Sequence, residues 1–134
     1  MKRNLVLWAV QVLLAALFVF AGGMKLVLPI EAMTGAIALP GALLRFVGLA
    51  ELAGGLGLLL PGMTGIRREL TPLAAVGLVI IMTGATVITV LSGSIPGALF
   101  PLVVGVLCGS IAHGRASWTR RSGAVSVQDQ VAAA

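Results

Sequence analysis

The sequence predicts an all-α integral membrane protein: a four-helix bundle with a short interfacial helix between its first two spans. Three observations carry this reading. Of 134 residues, 59% are apolar and 10% charged, too few polar side chains to cover a water-soluble domain of this size. The charges also avoid long stretches: there are none from Asn4 to Met24, only Glu51 between Phe46 and Ile66, and none from Leu70 to Gly114. Finally, a four-crossing chain puts Lys2, Arg3, Arg67, Arg68, Arg115, Arg120 and Arg121 on one side and only Lys25 and Arg45 on the other. The positive-inside rule then places both termini and the 62–69 loop of a multi-pass chain in the cytoplasm.

A spanning helix needs about 20 mainly apolar residues. The turn-forming run Ser92-Gly93-Ser94-Ile95-Pro96 divides the last charge-free stretch, so the helices fall over 4–26, 43–61, 71–91 and 97–113. The first resembles a secretory signal in its Lys2-Arg3 start and in Val19-Phe20-Ala21, but it is long for a signal core and polar Gln11 interrupts it. Between Leu28 and Gly41, Ile30, Met33 and Ile37 recur at helical spacing with Glu31 and Thr34 opposite, which predicts the interfacial helix. Pro61-Gly62 stops the second span, and Thr71 followed by Pro72 forms an N-cap and first turn for the third. Residues 1–116 thus form the membrane domain, and 117–134, polar and without an apolar period, a disordered cytoplasmic tail.

Small residues mark the faces where helices meet. Ala50 with Gly54 and Ala53 with Gly57 form such pairs on the second span, and Gly97, Pro101, Gly105, Gly109 and His113 form a ridge on the fourth. Packing within one chain is the first reading of these stripes and a homo-oligomer seam the second. The net charge of +5 marks topology rather than nucleic-acid binding, because the bases do not share one soluble face. Cys108 is the single cysteine, which excludes an intrachain disulfide and a C-x-x-C redox pair.

Glu51 is the one acid within a span, and an acid in hydrocarbon needs a partner, a water-filled pocket or a proton. It lies about 12 Å below the outer end of its helix at 1.5 Å per residue. Side chains lean toward a helix's N-terminus, so Lys25, near the outer end of the first span, leans inward as Glu51 leans outward. Their charged heads converge. Arg45 is shallow enough to reach headgroups or Glu31 and stands six residues from Glu51, on a different face. Thr83 and Thr86 share a face of the third span at comparable depth, so the expected site is a polar cluster of Lys25, Glu51, Thr83 and Thr86. The pair either fixes helix register or holds a ligand or proton. His113 reads as a helix-end residue and Cys108 as a packing residue; no metal set, catalytic constellation or nucleotide motif is evident.

The segments Ala21-Gly22-Gly23-Met24-Lys25-Leu26 with Pro29, Leu39-Pro40, and Gly48-Leu49-Ala50-Glu51-Leu52-Ala53-Gly54-Gly55 resemble the DoxX-like family of four-helix bacterial membrane proteins, over roughly residues 10 to 110. A G-x-x-K-L element ending the first span and an E-x-x-G-G element in the second match residue for residue. The resemblance implies a four-span bundle in which Lys25 and Glu51 are the family's charged pair. It also implies a link to sulfur and thiol redox metabolism, where some members are membrane subunits of thiosulfate:quinone oxidoreductase. The function expected from it is a non-catalytic membrane subunit or anchor with a soluble redox partner, with quinone implied as cofactor by the resemblance alone. The alternative is a small proton-coupled exporter whose working acid is Glu51, although four-span drug exporters carry that acid in the first helix, where this chain has Gln11.

Overall fold

A computed structural model describes residues 2–33 and 37–134, the side chains of 118–126 aside. Among the described residues, four helices are long and apolar enough to cross a membrane: α1 (Lys2–Val27), α3 (Gly41–Thr64), α4 (Leu70–Leu91) and α5 (Ile95–Gly114). Between the first two lies α2 (Ile30–Met33), a single helical turn where the interfacial helix was expected. Thr34, expected on the polar side of the interfacial helix, lies outside the described residues.

Three boundaries differ from the sequence reading, each for a local reason. Pro61 does not stop α3. It sits in the final turn, and the helix ends at Gly65, whose φ of 72° is open to glycine and whose N–H returns to the Pro61 carbonyl. Thr71 is not an N-cap: α4 begins at Leu70, and the Thr71 hydroxyl is buried without a hydrogen-bond partner. Residues Ala116–Ala133 form a further helix, α6, where a disordered tail was expected. Alanine, arginine and glutamine favour helix intrinsically, and the lack of an apolar stripe removes packing rather than helicity. Residues 127–134 of this stretch are exposed.

The spans form a ring in the order α1, α3, α4, α5. Packing is extensive between α1 and α3 and between α4 and α5, lighter between α3 and α4, and thin where α5 closes on α1. Glycine sets the closest approaches. A Cβ at Gly22 would stand 2.6 Å from the Gly48 carbonyl oxygen, and one at Gly55 3.0 Å from that of Ala15, so α1 and α3 touch backbone to backbone. Gly54 and Gly57 face Leu78 and Ala74 of α4, and Gly105 of α5 faces Met82, which uses these small residues within one chain. Gly109 is looser, with Val79 at 4.0 Å from its would-be Cβ, and His113 at the end of that ridge is exposed. Leu14, Phe18, Leu58, Leu78, Cys108 and Ile111 fill the interior, while large apolar side chains such as Leu13, Phe20, Ile80 and Val106 face outward to lipid.

Candidate functional site

Two polar sites lie inside this apolar bundle, near opposite ends. At the end away from the chain termini, Lys25 Nζ donates to Glu51 Oε2 at 2.6 Å. The antiparallel register explains the meeting. Gly22 lies against Gly48 and Ala15 against Gly55, which brings Lys25 level with Arg45, six residues from Glu51 along α3. That is an axial gap of about 9 Å. The two side chains close it by leaning toward the N-termini of their own helices. Glu51 is 4% exposed and Lys25 31%, so the carboxylate is enclosed and the ammonium stands at the opening.

Arg45 takes a role absent from the sequence reading. Its Nη1 donates to the backbone carbonyl of Lys25 at 2.5 Å, in the last turns of α1. Carbonyls there have no onward helical partner, and a cation also suits the negative end of the helix dipole. The guanidinium therefore fixes the backbone that carries Lys25.

Thr83 and Thr86 do not join this pair. Thr83 Oγ1 donates to Val79 O at 2.8 Å and Thr86 Oγ1 to Met82 O at 2.7 Å, each bonding the turn before it. Both line a groove of about 340 Å³ between α4 and α5, with Val79, Met82, Pro101 and Gly105. Comparable depth put them beside Glu51 in the sequence reading, but they line the α4/α5 groove while the ion pair joins α1 to α3. The groove's apolar walls suit a hydrocarbon chain. Both hydroxyl protons are committed to their own helix, so neither is offered to a quinone carbonyl there.

The second site lies toward the terminal, basic end, and its central member was read from sequence only as a topology marker. Arg115, 5% exposed, separates α5 from α6. Its Nε donates to Gln11 Oε1 at 2.7 Å, its Nη1 to Asn4 Oδ1 at 2.7 Å, and its Cζ lies 5.4 Å from the centre of the Trp8 ring. Gln11, fully buried, passes the chain on by donating from Nε2 to Leu58 O of α3 at 2.7 Å. Burial, and after it the neighbouring Arg68 charge, lower the Arg115 guanidinium from its ordinary value. A polar residue within the first span was the one sequence signal for this site, since Gln11 in hydrocarbon requires a partner. Nothing in local spacing named a partner more than a hundred residues away.

Among the described residues, no three of His, Cys, Asp and Glu come together as a metal site. Cys108 is buried in the core. No curated protein and no solved structure matches the chain. The sequence profile of the DoxX-like family matches residues 9–110, a stretch that runs through all four spans and contains Lys25, Arg45 and Glu51. With that match, the chain belongs to the DoxX-like family.

Proposed function

We propose that this protein is a non-catalytic membrane subunit or anchor of a bacterial inner membrane, with both termini in the cytoplasm, associated with a soluble partner of a sulfur, thiol or quinone-linked redox complex. The observation that carries the anchoring part is the state of the one acid within a span. Glu51 is enclosed at 4% exposure, held by Lys25 at 2.6 Å beside a backbone contact between two helices. A carboxylate so placed fixes helix register. Exchange of a proton for a cationic substrate, which the exporter alternative requires, needs that carboxylate to face water in turn, and the ion pair weighs against it. The redox association is supported by the family resemblance, and the orientation by the basic residues gathered at one end.

The test is affinity capture of the tagged full chain from native membranes followed by mass spectrometry. Reproducible recovery of a soluble flavoprotein or thiol enzyme is the expected result. Recovery of no reproducible soluble partner, or drug resistance that depends on Glu51 in a host lacking its own exporters, would overturn the reading.

A further inference from the structure

The ring is unevenly closed. The α1–α3 pair and the α4–α5 pair are each packed along much of their length, α3 joins α4 through Gly54 against Leu78 and Gly57 against Ala74, and the α5–α1 side is thin. At the basic end that side is closed by contacts laid over an apolar core that all four spans share. Arg115 reaches Gln11 and Asn4, and a Cβ at Gly114 would meet the Leu7 side chain at 2.9 Å. Inside this closure Gln11 of α1, the Leu58 carbonyl of α3 and Arg115 after α5 form a bonded polar layer, and Thr71 of α4 is buried as well. Gly105 opposite Met82 and Gly109 near Val79 set the α4–α5 register, which continues to bring Arg115 level with the first turn of α4, where Thr71 stands. Thr71 is fully buried, and its hydroxyl has no hydrogen-bond partner. A buried hydroxyl left unbonded is costly, so this layer is not at its best while shut off from water.

We infer that Arg115 is a releasable latch: the two helix pairs swing apart on the α3–α4 contact, the α5–α1 side opens at the basic end, and water reaches the polar layer at Thr71. The elements assign the moving parts. Glycine-mediated backbone contacts make the α1–α3 pair rigid, whereas the latch consists of side-chain bonds that water can replace one for one. Release of the guanidinium also frees the junction at which α6 begins, so the movement couples the bundle interior to the terminal helix.

The test uses the full chain in native membranes with Cys108→Ser and Thr71→Cys, and measures the rate at which a charged, membrane-impermeant methanethiosulfonate modifies the thiol at position 71. A second pair, Leu7→Cys with Gly114→Cys, is oxidised to lock the α5–α1 side. Locking should slow modification at least tenfold, and reduction should restore it. Arg115→Met should speed modification at least tenfold without the lock, and Gln11→Leu serves the same purpose if the arginine variant does not accumulate. As a control, an oxidised pair made by Met82→Cys and Gly105→Cys, within the α4–α5 contact, should leave the rate unchanged. Equal rates with and without the Leu7–Gly114 lock would make Arg115 a fixed staple and overturn the latch. An equal slowing by the control pair would show general loosening rather than opening on one side, and would overturn it too.

Discussion

Lys25 is 31% exposed and Glu51 4%, so the two ends of their ion pair differ in what each loses when the other is removed. Lys25→Met strands a carboxylate in the bundle and should destabilise by about 3–5 kcal/mol. Glu51→Gln leaves an ammonium already at the opening, free to reach headgroups, and should cost about 2 kcal/mol, the scale of a hydrogen bond to a charged group. The double variant should recover much of the larger loss, measured as thermal stability in a double-mutant cycle. A coupling below about 0.5 kcal/mol would mean the ion pair contributes nothing as a pair. This pair was legible in the sequence because side-chain lean and helix rise fix depth, and depth is what brings the charges together. Thr83 and Thr86 were misplaced by the same argument, since depth does not say which neighbour a face meets. Arg115 was read only as topology, because its burial depends on residues from the opposite end of the chain.

The helices themselves were legible from apolar length, and their ends less so. Pro61 and Thr71 carry strong local signals, yet α3 runs past the first and α4 begins before the second. In each case a terminal turn is free to extend by a few residues when nothing opposes it. The small-residue stripes identified interfaces, but only structure ranks their members. Gly22 meets backbone at 2.6 Å, and a backbone cannot rotate aside as a side chain does. Gly22→Leu should therefore abolish most folded protein, an effect at or above the roughly 1–3 kcal/mol of ordinary overpacking. Gly109→Leu, with only Val79 at 4.0 Å, should change yield little. Fluorescence-detected size exclusion of the two variants, run side by side, compares them directly; equal yields would mean that the α1–α3 approach is not the tight one.

As a whole, the molecule is two antiparallel helix pairs joined along α3 and α4 and through a shared apolar core, with α5 meeting α1 more thinly. The orientation proposed for it predicts that reporters at Met1, in the 62–69 loop and after Ala134 all read cytoplasm, while one inserted between Pro29 and Leu39 reads the opposite side. An external reporter at Ala134 with an internal one at Met1 would remove the four-crossing topology. The network at the basic end also has a meaning in time. Asn4, Trp8 and Gln11 lie in α1 and are synthesised well before their partner, Arg115, which follows the last residue of α5. Gln11 must therefore wait in the membrane with its carboxamide unsatisfied on one side until the whole bundle has been made, so the final assembly step is post-insertional. A chain stopped at Gly114 should insert all four spans and still fail to complete that step, leaving its first helix the most readily extracted or degraded part of an otherwise inserted protein.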